Sequence, residues 1–285
     1  MVSETQAECS SCGHRFYKRN GTWDLVIGGR FPGQQDACRW EKEEFQDRHR
    51  ADHYMAPLFR SVQATRGNKP LRLLSVGCGV GAEVDRLIDE GFECYGIDCG
   101  NRSALWHRRD HRDKLLLANG VKLPFCDGCF DVVFAGCVLP HVGVFGDTFQ
   151  VKPGYWGDRL QLAREMVRVS RTNGMLVISC PNRLFPLDIF HRRGDGYFPR
   201  IHFPTDRFLL SLRDFRRLFV EGCGCRSVTP LPVANYWAFH ELTRTWLGRV
   251  VARLVGGYLR FVSMDSFAAL HGSIATPWLV VSVER

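Results

Sequence analysis

Between residues 71 and 180 the chain alternates short apolar runs with stretches of helical spacing. The runs LRLLSV (71–76), FECYGID (92–98), KLLLA (114–118), FDVVFAGCV (130–138) and MLVISC (175–180) are rich in Val, Leu, Ile and Phe. That is the pattern of strands buried on both faces. Residues 80–90, 101–111 and 158–170 instead repeat apolar positions every three or four residues, and Gly91 and Asn173-Gly174 supply stops. Strands alternating with helices predict parallel βαβ units with right-handed crossovers, an α/β fold.

The flanks follow other rules. Residues 34–66 are charged and helix-prone, with Pro57 as an interruption, which predicts one or two helices ahead of the main fold. Residues 181–204 are rich in Pro and aromatics and read as a loop. Residues 205–220 predict a helix, 222–231 a sixth strand, 235–270 a mostly amphipathic helix, and 277–284 a seventh strand. Repeats and low-complexity tracts are absent from the sequence.

Composition narrows the class. The chain has 285 residues, 45% hydrophobic and 24% charged, enough for a substantial core and ordinary for a soluble globular protein. It has no uninterrupted apolar run of about 18 residues, so a transmembrane helix is not expected. The N-terminus is acidic and polar, unlike a secretory signal. The twelve cysteines are scattered, several in strand-like runs. Reduced thiols and a cytoplasmic location are the expectation. The net charge is +8, and residues 192–260 hold twelve arginines against five acids. This suits an anionic partner or a membrane surface. A solvated face explains it as well, because the arginines interleave with core-type residues.

Cys9-Ser-Ser-Cys12-Gly13-His14 looks like half of a zinc ribbon. A closed zinc site needs four ligands, and no second pair follows at ribbon spacing. His14, Cys38 or the Cys126/Cys129 pair would complete it only through the fold, so a knuckle without zinc is expected. Cys126-x-x-Cys129 reads as a turn, and Cys223-Gly-Cys225 as strand packing.

The most informative stretch is LLSVGCGVG (73–81). Gly77, Gly79 and Gly81 form a tight turn between the first strand and its helix, which lets backbone approach a ligand and leaves N–H groups at the helix start. Asp98 ends the second strand, where a carboxylate accepts hydrogen bonds from ribose hydroxyls. A ligand with an adenosine-like ribose follows. Gly77-x-Gly79-x-x-Ala82 also fits a loose dinucleotide fingerprint, so the glycines alone leave a nicotinamide cofactor open.

The ordered segments LLSVGCGVG, GID, ANGVKLPFCDGCFDVVFAGCVLPHV and REMVRVSRTNGMLVISCPN, about residues 70–182, resemble class I S-adenosylmethionine-dependent methyltransferases. The likeness is greatest to the branch acting on small molecules and quinone-like or lipid-like acceptors. It implies a Rossmann-like, seven-stranded, mostly parallel sheet whose last two strands form an antiparallel end, with S-adenosylmethionine as cofactor. Gly77, Cys78, Gly79 and Gly81 would face the methionine part and ribose, and Asp98 the ribose hydroxyls. Cys99 would lie beside the adenine. Asn119, Gly120 and Val121 stand where the family carries an acid and a small residue near the adenine amino group; Asn119 keeps an acceptor there but lacks the charge. Gly136, Cys137 and Val138 would lie near the sulfonium. EEFQDRHRADHY (43–54) is similar to the family's N-terminal lid, with Phe45, Asp47 and Tyr54 matching, and Tyr54 turned to the cofactor; a plain packing helix is the alternative. The division implied is a knuckle-like segment over 1–33, lid helices over 34–66, and a catalytic domain over 67–285. Within the domain, acceptor-site loops span 141–159 and 181–204 and a helical insertion spans 231–276.

Methyl transfer needs mainly a positioned acceptor, and an oxygen acceptor needs its proton removed, a task suited to histidine. His141 is the first candidate base, with His191 and His202 in the loop after the fifth strand as alternatives; each is equally readable as structural or solvent-facing. Phe145, Tyr155, Trp156, Phe190, Tyr197, Tyr236 and Trp237 suggest an apolar acceptor pocket. The Trp and Arg of 235–270 also suit peripheral membrane contact, against core filling or a dimer surface. The expectation is methyl transfer to a small-molecule or lipid-like acceptor, at oxygen before carbon or nitrogen. RNA methylation is the rival favoured by the basic tail and knuckle. It is weakened because the fourth strand ends in AGCVLPHV without an Asn-Pro-Pro-Tyr-type motif, so a nucleic-acid partner is not expected. A non-catalytic partner subunit of the same fold and a nicotinamide-dependent oxidoreductase are further alternatives.

Overall fold

The computed structural model describes residues 5–9, 13–27, 37–146, 148–192, 199–238 and 245–285, with the side chains of 37–42, 189, 190, 192 and 199 excepted. The elements run β1 (Gln6–Glu8), β2 (Arg15–Arg19), β3 (Thr22–Asp24), α1 (Ala37–Arg50), α2 (Ala56–Thr65), β4 (Arg72–Val76), α3 (Ala82–Asp89), β5 (Glu93–Asp98), β6 (Leu115–Leu117) and β7 (Phe130–Gly136). They continue as α4 (Tyr155–Val169), β8 (Ser170–Pro181), β9 (Leu187–Arg192), β10 (Pro199–Ile201), α5 (Leu212–Arg216), β11 (Ser227–Pro230), α6 (Trp246–Val262) and β12 (Trp278–Glu284).

One sheet carries the fold, in the order β1-β2-β3-β6-β5-β4-β7-β8-β12-β11. β6, β5, β4, β7 and β8 are parallel, and β12 and β11 close the edge antiparallel. The chain steps outward from β4 through β5 to β6, then returns to β7 on the other side of β4. This reversal opens a crevice at the carboxyl ends of β4 and β7, where ligands bind in such sheets.

Both faces are covered, as the apolar runs require. Leu74, Val76, Val133 and Ile178 pack against Leu162 and Met166 of α4 and Phe215 and Phe219 beyond. Leu73, Val132, Phe134 and Val177 pack against Met55, Phe59, Val84, Leu87, Tyr236, Leu259 and Trp278. The alternation of Leu73 and Leu74 between clusters is the period-two pleat of a strand.

Several elements differ from the sequence pattern. The expected helix over 101–111 forms 3-10 turns at Asn101–Arg108 and Arg112–Lys114. The expected helix over 205–220 starts only after Ser211, whose capping box with Asp214 fixes the start, and it runs on through Glu221. The 181–204 segment contains the β9–β10 hairpin. Among the described residues of 235–270, helix is confined to α6 and a 3-10 turn at Asp265–Leu270. The first strands join the sheet rather than standing apart: β3 pairs in parallel with β6 through Asp24 and Leu117. The turn at Cys9 is closed by backbone, with Cys9 N–H donating to the His14 carbonyl at 2.9 Å. Cys12 lies outside the described residues. Ahead of Pro57, which has no N–H to donate, Ala56 N–H reaches back to the Ala51 carbonyl in one widened turn, and α1 and α2 continue as one helical run.

Arg159 of α4 is buried and ties the crevice loops together. It donates to the carbonyls of Pro140 (2.9 Å) and Val142 (3.3 Å) after β7, and to those of Arg207 (3.1 Å) and Phe208 (2.9 Å). Burial pulls its guanidinium down to about 10. Arg159→Met strands these buried acceptors and is expected to cost about 3 kcal/mol. A lower urea midpoint at unchanged slope is the expected reading, and an unchanged midpoint would contradict it.

Candidate active site

The turn between β4 and α3 uses its glycines structurally. Gly77, Gly79 and Gly81 all have φ between 54° and 78°, a region open to glycine at little cost. A Cβ on Gly77 would lie 2.4 Å from Val138 Cγ2, and one on Gly81 2.6 Å from Leu115 Cδ1. The turn is therefore pressed against the segment just past β7 on one side and against β6 on the other. Gly77 and Cys78 N–H donate to the Ile97 carbonyl at 2.8 and 2.9 Å.

Asp98 at the end of β5 faces this turn. Its carboxylate accepts from Gly79 N–H at 2.9 Å and from Gly100 N–H at 2.6 Å. Burial pushes the carboxyl up, opposed by these N–H groups and by Arg102. The backbone thus fixes the orientation of a carboxylate that keeps acceptor capacity for hydroxyl donors. Trp106 Nε1–H donates to the Gly79 carbonyl at 2.8 Å, a brace that no spacing rule indicates. After β6, Asn119 Oδ1 accepts from Val121 N–H at 3.1 Å. A Cβ on Gly120 would lie 2.8 Å from Leu162 Cδ1, so bulk is excluded there. Cys99 is partly buried beside Asp98.

The helical run over 37–65 is held onto this turn by ion pairs. Arg50 grips Glu83 in the first turn of α3 with two bonds, 2.8 and 3.0 Å, and reaches Asp47 at 2.8 Å. Arg102 pairs with Glu43, Arg109 with Glu44, and Arg86 with Asp52, at 2.7–2.8 Å. Gln46 exchanges two bonds with the Tyr236 carbonyl and Ala238 N–H. One guanidinium faces two buried carboxylates here. Burial pushes Asp47 up to about 7, with Glu83 and Glu43 adding repulsion against the pull of Arg50. Tyr54 donates to the Pro232 carbonyl at 2.6 Å and packs edge-on against Tyr236. Phe45 is exposed.

At the other lip of the crevice, three side chains converge. Cys137 follows β7 with φ 56°, a left-handed conformation that costs a non-glycine residue on the order of 1 kcal/mol. Its Sγ lies 3.5 Å from His191 Nε2, and His141 Nε2 lies 3.1 Å from the same atom. His191 Nδ1–H donates to Asp188 at 2.9 Å. The Asp188 side chain is fully buried and also accepts from Arg200 at 3.2 Å and from His191 N–H at 3.1 Å. Burial raises the Asp188 carboxyl, but His191 and Arg200 outweigh it and leave it lowered. Burial, then His191, pulls His141 down to about 3, so His141 is neutral. Phe149 and Phe208 pack edge-on against His191, and Arg200 lies over both of their rings.

The structure thus joins His141 and His191, fifty positions apart, and keeps His202 out of the group. His202 is buried past β10 with Nδ1 3.4 Å from the Phe203 carbonyl. The aromatics expected to line one pocket are dispersed. Phe145 is exposed, Tyr155 and Trp156 lie under Arg159 and Arg217, and Tyr236 and Trp237 pack with Trp278 in the core. Tyr197 and the Phe190 side chain lie outside the described residues. Phe149, Phe208, Asp188 and Arg200 were not singled out by the sequence pattern. The DIFH spacing that puts Asp188 three residues before His191 is the signal that was there to read.

A parallel sheet with an antiparallel edge, a glycine turn at its switch point and an acid on the next strand define a Rossmann-like domain built for an adenosine-bearing ligand. Comparison with known proteins makes this specific. Residues 74–178 match the methyltransferase domain family. A probable S-adenosylmethionine-dependent methyltransferase of Mycobacterium tuberculosis is 30% identical over 130 residues, 42% of each chain. Norajmaline N-methyltransferase of Rauvolfia serpentina is 25% identical over 128 residues, 42% of this chain and 39% of that one. The match thus spans less than half the length of these relatives. The plantazolicin methyltransferase BpumL, solved with S-adenosylhomocysteine, superposes with a TM-score of 0.52 over 87% of this chain and 88% of its own, at 12% identity. Residues 74–178 of this chain thus match a methyltransferase domain, and S-adenosylmethionine is the cofactor that its turn and Asp98 suit.

Because a raised carboxyl holds its proton in the folded state and loses it on unfolding, the Asp47 contribution to stability declines as pH rises from about 4 to about 7. Asp47→Asn is therefore expected to gain stability relative to the wild type between pH 5 and pH 8. Parallel thermal melts at the two pH values check this. A difference that is constant or shrinks with pH would contradict it.

Proposed function

We propose that the chain transfers the methyl group of S-adenosylmethionine to a small or lipid-like acceptor, at oxygen. The observation that carries this reading is the Cys137–His141–His191–Asp188 group. It stands at the crevice lip, one residue from the Val138 that touches the glycine turn.

In this reading Gly77, Cys78, Gly79 and Gly81 hold the methionine and ribose parts, Asp98 the ribose hydroxyls, and Cys99, Asn119, Gly120 and Val121 the adenine surroundings. Gly136, Cys137 and Val138 border the sulfonium. When bound, the cofactor supplies a methyl already activated by positive sulfur, so the acceptor lone pair forms the new bond while the C–S pair returns to sulfur. The residues position the acceptor and dispose of its proton. The proton leaves toward the histidine pair, and His191 is the better placed member because Asp188 fixes its Nδ1–H and turns the Nε2 lone pair inward. The helices over 34–66 act as a lid that excludes water. The loops over 141–159 and 181–204 shape the acceptor side through Phe149 and Phe208.

The C-terminal insertion over 231–276 supports an apolar acceptor drawn from a cytoplasmic membrane surface. Trp246, Leu247, Val250, Leu254 and Phe261 of α6 are exposed and share one face at 3.6 residues per turn. Arg249, Arg253 and Arg260 share the adjacent face and line a shallow groove of about 320 Å³. The helix contains no acid. An apolar stripe beside a basic one is the pattern of a helix lying in a membrane interface. Among the described residues no helix is long and apolar enough to cross a membrane.

The test is transfer of a labelled methyl from S-adenosylmethionine into cell extract, followed by separation into organic-phase, protein and RNA fractions. Label is expected in the organic phase. His191→Ala is expected to lower kcat about 100-fold or more, with cofactor binding kept. Label in RNA would favour the RNA-methylating alternative. Cofactor binding without any transfer would favour a non-catalytic partner subunit.

A further inference from the structure

We propose that Cys137, His141 and His191 form a zinc-binding site with an open fourth position. The donor atoms of the three side chains all lie within 4.8 Å of one another. A tetrahedral zinc site, with Zn–N of about 2.0–2.1 Å and Zn–S of about 2.3 Å, puts two nitrogens roughly 3.3 Å apart and nitrogen and sulfur roughly 3.6 Å apart. His141 Nε2 and His191 Nε2 are 3.1 Å apart, and Cys137 Sγ and His191 Nε2 are 3.5 Å apart. Two of the three donor spacings of a loaded site are thus already present within a few tenths of an ångström, and the third lies within 4.8 Å.

Two further features favour an ion over a plain hydrogen-bonded cluster. His191 gives its Nδ1–H to Asp188, so only one lone pair remains at Nε2, yet both the Cys137 thiol and His141 Nε2 converge on it. One lone pair serves two donors poorly, whereas one cation serves three donor atoms well. The carboxylate behind the histidine is also what metal-ligating histidines use to fix their tautomer and raise their basicity. Here it is Asp188, itself held by Arg200, which in turn pairs with Asp206 at 2.6 Å. The left-handed backbone at Cys137 is the kind of local strain that accompanies such sites.

One thiolate and two imidazoles suit zinc among the common divalent ions. On binding, the Cys137 thiol gives its proton to solvent as sulfur takes the metal. Three protein ligands leave a fourth position, which suits a hydroxyl or thiol of the acceptor. The inference rests on the proposed function only in placing the acceptor at this lip. At His191 Nε2 the two modes exclude each other: a loaded site acidifies the acceptor through the ion, and a metal-free site takes its proton on His191.

Cobalt(II) titration of the reduced, metal-free full chain tests this directly. The expected result is about one equivalent of tetrahedral cobalt with a thiolate-to-cobalt charge-transfer band, displaced by zinc. Cys137→Ser is expected to abolish the band, and His191→Asn to weaken cobalt binding at least about tenfold. Cys9→Ser/Cys12→Ser is expected to leave the band in place. Circular dichroism of the same variants shows that they fold, and calorimetric binding of S-adenosylhomocysteine to the wild type tests the methyltransferase reading separately. Absence of the band in wild type, or its loss in Cys9→Ser/Cys12→Ser with retention in Cys137→Ser, overturns the zinc site while leaving the proposed function standing.

Discussion

Everything at the crevice depends on the contact between Gly77 and Val138. No side chain fits at residue 77, because a Cβ there would sit 2.4 Å from Val138 Cγ2. This close approach is a consequence of sheet order. β4 and β7 are parallel neighbours although two strands intervene in sequence, so their carboxyl ends meet. The glycine turn grows from one end and the Cys137–His141 segment from the other. A substituent at 77 would push the two apart, and in the function proposed above the sulfonium side and the acceptor side would lose register together.

Charge does the second part of the work. The 37–65 helical run is anchored by Met55 and Phe59 in the core. Its hold on the turn is completed by arginine–carboxylate pairs, most firmly Arg50 with Glu83, where both side chains are largely buried. A pair of this kind is costly to break because each partner would be left buried and unpaired. The same enclosure pushes the Asp47 carboxyl up: burial and the neighbouring Glu83 and Glu43 outweigh the Arg50 guanidinium that Asp47 and Glu83 share. On the opposite lip Arg200 bridges two acids, Asp188 and Asp206, and through Asp188 it sets the orientation of His191.

The sheet was legible because its signal is local. Five apolar runs and the glycine turn specify parallel strands and a ligand-binding switch point from composition and period alone, and Asp98 follows from its place at a strand end. The N-terminal segment was harder. Cys9 and its neighbours read as a metal knuckle, and nothing local shows that Asp24 pairs with Leu117, ninety-three residues away. The helix over 101–111 failed through short-range preference: the side chains of Ser103 and His107 bond local backbone, at the Gly100 and Ala104 carbonyls. At the candidate site, His141 and His191 were each visible as single residues. Their meeting, with Asp188 and Arg200 behind them, depends on β9 pairing with β10 in a small sheet of their own, and Phe149 and Phe208 reach the group from loops on either side. The aromatics picked by sequence had the right residue type, but Tyr236 and Trp237 serve the core, and no periodicity separates a pocket aromatic from a core one.

The central claim is that the Gly77–Gly81 turn and Asp98 form an adenosine-holding site for S-adenosylmethionine. The most direct test is calorimetric titration of the purified chain with S-adenosylhomocysteine, beside NADH, on wild type and Asp98→Ala. The account predicts one-site binding of S-adenosylhomocysteine at roughly micromolar Kd, lost in Asp98→Ala, and no binding of NADH. A folded wild type that ignores S-adenosylhomocysteine, or binds NADH in its place, would contradict it.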